Sequence, residues 1–80
     1  MTLLATMISN LMLNADDFTM SQKDIFDHFS DTSRKEKRDI LKEMISKEVI
    51  TWENVPDGFE SGVKTMYKLT DSFLKNISEY

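Results

Sequence analysis

The sequence predicts a mostly helical α+β fold in which three helices and a short fourth are joined to one β-hairpin. Three observations carry that expectation. Apolar residues recur at helical spacing in four separate stretches. One segment, Val49-Ile50-Thr51-Trp52, is β-branched and aromatic. Both glycines and the single proline fall within residues 56–62, so most of the chain is regular structure with one special turn.

Leu3, Leu4, Met7, Ile8, Leu11 and Met12 follow the rhythm of one helical face and predict a helix over about residues 2–13. Its other face, Thr2, Ala5, Thr6, Ser9 and Asn10, carries no charge although 30% of the chain is charged. Either the charge is missing by chance in a short helix, or a second subunit covers that face. Ala15 to Asp17 form a link, and Phe18-Thr19-Met20 predicts a short extended piece. Ser21, with Asp24 three residues on, reads as a helix N-cap, and Met20 with Ile25 fits a hydrophobic staple. The second helix is expected over about 21–29, with Ile25, Phe26 and Phe29 turned inward.

Ser30-Asp31-Thr32 is a turn. Ser33-Arg34-Lys35-Glu36 is a capping box, so a third helix follows over about 34–47. Its second half carries the stripe Ile40, Leu41, Met44 and Ile45, and its first half carries none. A strand from about Val49 to Val55 leads into Pro56-Asp57-Gly58, where a type I turn is expected. Gly62 closes the loop, and Val63 to Leu69 returns with Val63, Thr65, Tyr67 and Leu69 on one face. Trp52 and Tyr67 read as core aromatics paired across the hairpin, and the six methionines as core filling. Phe59, at the hairpin tip, either folds back or meets a partner. Thr70 caps a last helix over about 71–79, whose Phe73, Leu74 and Ile77 share a side.

Composition excludes several classes of function. Eighty residues make one domain, residues 1–80. With no cysteine there is no disulfide framework, thiolate metal site or cysteine nucleophile. One histidine excludes a two-histidine metal motif. Asp24, Asp27, His28 and Asp31 fall on one helix face and read as a solvated acidic surface in preference to a hard-metal site. No Ser-His-Asp arrangement or glycine-rich phosphate loop is present, so an enzyme and a cofactor are not expected. The uncharged stretch Met1–Ala15 is shorter than the roughly 20 residues of a spanning helix and lacks the pattern of a signal peptide. The chain is therefore expected in a cytoplasm, where the sequon Asn76-Ile77-Ser78 has no consequence.

The order of helix, short strand, helix, tight turn, helix, strand, loop, strand and helix resembles a winged helix-turn-helix domain over nearly the whole chain. Ser21 to Phe29 match the first helix of the motif, Arg34 to Lys47 the second, and Ile50-Thr51-Trp52 through Val63–Thr70 the wing hairpin. The ending Tyr67-Lys68-Leu69-Thr70 is similar to the last strand of many small bacterial and phage regulators. Three residues depart from the pattern. Glu48 stands where relatives usually have glycine before the wing, which costs on the order of 1 kcal/mol if that position is left-handed. Lys37 replaces a small apolar residue, so the front of the third helix is expected to project further into solvent. The wing is acidic at Glu53, Asp57 and Glu60, against Lys64 alone.

Residues 34–38, Arg-Lys-Glu-Lys-Arg, sum to 4 − 1 = +3, which leaves −4 − 3 = −7 for the remainder. The resemblance implies that this half-helix enters a major groove of double-stranded DNA. Thr32, Ser33 and Arg34 would meet phosphate or sugar, Lys35, Lys37 and Arg38 would reach the groove, and Lys64 would assist from the wing. The competing reading is a solvated face tied to Glu36 and Asp39. Binding is expected to be modest and salt-sensitive, because the chain as a whole is acidic. The function expected is that of a small transcriptional or phage-type regulator, acting as a homodimer through helix 1 and the last helix. The alternative is a protein-interaction module, an inhibitor or adaptor, whose acidic surface meets a basic protein partner.

Overall fold

The computed structural model describes residues 2–56 and 62–78, the side chain of Ser78 excepted. The expected turn at Asp57-Gly58 and the place of Phe59 lie outside the described residues. The described chain is α+β. Its elements are α1 (Leu3–Leu13), β1 (Thr19–Ser21), α2 (Gln22–His28), α3 (Arg34–Ser46), β2 (Ile50–Pro56), β3 (Val63–Leu69) and α4 (Asp71–Ser78). The three strands form an antiparallel sheet in the order β1-β3-β2, with β3 in the middle.

Each helix start is set by a side chain that satisfies an otherwise orphaned amide. Thr2 Oγ1 accepts from the Ala5 N–H at 3.2 Å, Ser21 Oγ from Asp24 at 3.1 Å, and Ser33 Oγ from Glu36 at 3.1 Å. Thr70 Oγ1 does the same for the Phe73 N–H at 3.0 Å and donates its own proton to the Glu48 carbonyl at 2.6 Å. That one hydroxyl ties the start of α4 to the end of α3. The α3 end turns through Glu48, whose φ of 61° lies in the left-handed region that favours glycine. Between α1 and β1 a tight turn, Asp16–Phe18, holds both Asp17 and Phe18 at positive φ. The Thr19 hydroxyl donates to the Asp17 carbonyl at 2.8 Å, and Phe18 packs against the core.

The core lies between the helices and one sheet face. Ala5, Ile8 and Met12 of α1, Ile25 and Phe26 of α2, Leu41 and Met44 of α3, and Val49, Ile50, Tyr67 and Leu69 are buried. Phe29, Ile40, Ile45, Phe73 and Leu74 pack around them, as their spacing predicts.

Two expectations about the core are corrected. The buried face of α1 is Ala5, Ile8, Ser9 and Met12, whereas Leu3 is 77% and Met7 44% exposed. The helix is rotated about one residue from the stripe that hydrophobicity picks out. The rotation is tolerated because Ser9 returns its hydroxyl to the Ala5 carbonyl at 2.8 Å, and the small Ala5 lets α1 sit close. Trp52 is the second correction. It pairs across the ladder with Tyr67, but Tyr67 is buried while Trp52 is 55% exposed. Tyr67 lies on the middle strand β3, where its hydroxyl reaches Gln22 of α2, whereas Trp52 lies on the outer strand β2, with no strand beyond it among the described residues.

Candidate nucleic-acid interface

The basic run Arg34–Arg38 occupies the first turns of α3, as its capping box requires. A helix turns each successive residue through about 100°, so five neighbours cannot share one surface. Arg34, Lys35, Glu36 and Arg38 are exposed, whereas Lys37 is 4% exposed. The expectation that Lys37 reaches a groove is therefore corrected. Its ammonium donates to the Phe26 carbonyl at 2.9 Å and the Phe29 carbonyl at 3.0 Å. The Phe26 carbonyl is one that the end of α2 would otherwise leave unsatisfied, at the pole where a cation is favoured, and the Phe29 carbonyl also accepts the Thr32 N–H. The aliphatic stem packs inward and the head lies 4.8 Å from the centroid of the Phe26 ring. Lys37 is turned inward and does not project into solvent.

The outward charge is smaller than the sequence sum. Without Lys37, the run presents three cations and Glu36, 3 − 1 = +2. Lys35 then reaches the Asp39 carboxylate at 3.7 Å, with both side chains largely in water, so the pair is worth little. Arg38 makes no ion pair among the described residues. Arg34 lies with its guanidinium carbon 5.9 Å from the Phe26 centroid, on the same ring that Lys37 approaches. Ser33 is committed to the N-cap, and Thr32 donates its amide to the Phe29 carbonyl at 3.0 Å.

Arg34 and Lys64, 30 positions apart in sequence, line one cleft of about 290 Å³ together with Lys23, Phe26, Asp27 and Thr65. The cleft separates α2 and the start of α3 from β3. Its charge is 3 − 1 = +2. Lys23 and Asp27 pair at 2.8 Å across one turn of α2. That hydrogen bond holds the Asp27 carboxyl below its ordinary range and the Lys23 ammonium above its own. The pair is internally neutral, which leaves Arg34 and Lys64 as the charges open to a ligand. Sequence reading missed Lys23 as a cleft residue, because only the packing of α2 beside β3 places it there. The acidic residues Asp24 and Asp31 and the exposed His28 lie elsewhere on α2 and its turn; among the described residues no three His, Asp or Glu gather to hold a metal ion. No helix among the described residues is long and apolar enough to cross a membrane.

Comparison with protein families, with characterised proteins and with solved structures yields no match to this chain.

Proposed function

We propose that this chain is a DNA-binding protein of winged helix-turn-helix type, a small regulator that grips duplex DNA between the start of α3 and the β2–β3 hairpin. The observation that carries the reading is the convergence of Arg34 and Lys64 on one cleft. Two cations from a helix start and a hairpin strand straddle a groove, which suits a phosphate backbone. Arg34, Lys35 and Lys64 hold phosphates, Thr32 and Ser33 lie beside them, and Arg38, further along the exposed side of α3, reaches bases. Lys37 takes no part except to fix the angle between α2 and α3. Two copies meet through the exposed, uncharged side of α1 at Leu3 and Met7, with the exposed Ile77 of α4 contributing, and present two such helices to DNA.

The test is titration of a labelled duplex at several salt concentrations. Saturable binding that weakens steeply from about 50 to 200 mM salt supports the reading. Replacing Arg34 and Arg38 together by alanine should flatten the logarithmic salt slope by about 1–2, and Lys64→Ala by about 1. Absence of binding at about 50 mM salt overturns it. Sedimentation as a monomer at high micromolar concentration removes the dimer.

A second reading has its own support: the inward turn of Lys37 and the Lys35–Asp39 contact leave the basic spot small on an acidic body. On that reading the acidic surface engages a basic protein. Capture of one host protein that survives nuclease treatment would favour it.

A further inference from the structure

We propose that the outer edge of β2 is a docking site for an extended segment of another protein, one that alternates apolar and basic residues. The site is separate from the cleft of Arg34 and Lys64 and does not depend on DNA binding.

The backbone supplies the first argument. The Thr70 N–H donates to the Val49 carbonyl at 3.0 Å, while the Val49 N–H donates to the Met44 carbonyl at 2.9 Å; that one cross-strand bond puts residues 49 and 70 in the hydrogen-bonded phase of the ladder. With the register Ile50↔Leu69, Trp52↔Tyr67 and Asn54↔Thr65, hydrogen-bonded pairs then fall at 51, 53 and 55. Ile50, Trp52 and Asn54 therefore turn their N–H and C=O groups to the outer edge. Among the described residues no strand pairs there. Pro56 fits the same parity, since its missing N–H falls on that edge and costs no ladder bond.

The side chains supply the second. Trp52, the chain's one tryptophan, is 55% exposed and borders a cleft of about 500 Å³ with Ile45, Ile50, Glu48 and Thr70. A strand added along β2 places every second side chain on the Trp52 face, over Ile45 and Ile50, and the others on the opposite face beside Thr51 and Glu53. The first set is best apolar. The second meets the Glu53 carboxylate, and Glu48 stands at the end of the cleft; neither makes an ion pair among the described residues. Lys42, a turn before Ile45 on α3, does not line the cleft. A second copy is a poor occupant, because antiparallel pairing of two β2 edges brings two Glu53 side chains together on molecules that each carry −4.

The experiment follows the emission of Trp52 in the full chain. One eight-residue peptide alternates valine with lysine, and its counterpart alternates valine with glutamate. The lysine peptide should give a saturable blue shift below about 1 mM, with at least ten-fold weaker binding of the glutamate peptide. Glu53→Lys should weaken the lysine peptide and strengthen the other. Asn54→Pro removes one edge N–H and no ladder bond, and should cost at least ten-fold in affinity while circular dichroism stays unchanged. If Asn54→Pro does alter the fold, backbone amide shifts of the unmodified chain decide: they should move at Ile50, Trp52 and Asn54. The proposal is overturned by no emission change, by equal binding of the two peptides, by an indifferent Asn54→Pro, or by emission that shifts with the protein's own concentration, which would show a second copy on the edge.

Discussion

The ammonium of Lys37 is hydrogen-bonded to the carbonyl of Phe26 at 2.9 Å and lies 4.8 Å from the centroid of the same residue's ring. Backbone and side chain of one residue thus hold one cation, and the end of α2 is fastened to the start of α3. A buried cation that keeps its partners is tolerated, and removing it leaves the Phe26 carbonyl without its partner. Lys37→Ala should destabilise the chain by about 2–3 kcal/mol, the scale of a charge-assisted hydrogen bond plus lost packing. Urea melts measure it. Lys37→Arg should not restore full stability, because a planar guanidinium does not fit a site shaped for a compact ammonium. An unchanged melting midpoint for Lys37→Ala would disprove the anchoring role.

Glu48 sits at φ 61°, a conformation that costs an L-residue roughly 1–2 kcal/mol, while glycine in its place brings an unfolded-state entropy cost of roughly 0.5–1 kcal/mol. Glu48→Gly should therefore stabilise the fold by up to about 1 kcal/mol, seen as a higher urea midpoint at unchanged slope. The Thr70 hydroxyl bonds the backbone carbonyl of residue 48 and is unaffected by the change. A lower midpoint would contradict the assigned backbone geometry.

Burial pushes the Tyr67 hydroxyl above its ordinary pKa of about 10. The folded chain then holds this proton more tightly than the unfolded chain does. Its contribution to stability is complete below pH of about 10 and is lost as pH rises through the folded value. Stability should fall on the alkaline side, and Tyr67→Phe should lessen that fall. At neutral pH the same variant loses the bond to Gln22 Oε1 at 3.2 Å and should cost about 1 kcal/mol. Equilibrium melts from pH 7 to 11.5 separate the two effects.

The orientation of α1 is open to the same kind of test. Ile8 is fully buried and Ile8→Ala should cost about 2–4 kcal/mol. Leu3 projects into solvent, so Leu3→Ser should change monomer stability by less than about 0.5 kcal/mol. If the two copies do meet through this side, Leu3→Ser with Met7→Ser lowers the sedimenting mass without moving the melt at low concentration.

The helices and strands were legible because their signals are local. Ser21, Ser33 and Thr70 cap within three residues of themselves, and the β-branched run beginning at Val49 has one good partner in Val63–Leu69. The basic run at 34–38 was equally visible as a count of charge. Its direction was not. Nothing in Arg-Lys-Glu-Lys-Arg says that Lys37 turns inward, because that is decided by the carbonyls of Phe26 and Phe29, eight to eleven residues away.

The order of elements, their caps, the acidic balance and the absence of cysteine chemistry belong to the sequence alone. Which side of α1 is buried, which of the five charges meet solvent, and the meeting of Arg34 with Lys64 belong to the tertiary structure. The physical reason is range. Capping and periodicity act within a few residues, whereas burial and the pairing of a polar group depend on what distant segments bring against it.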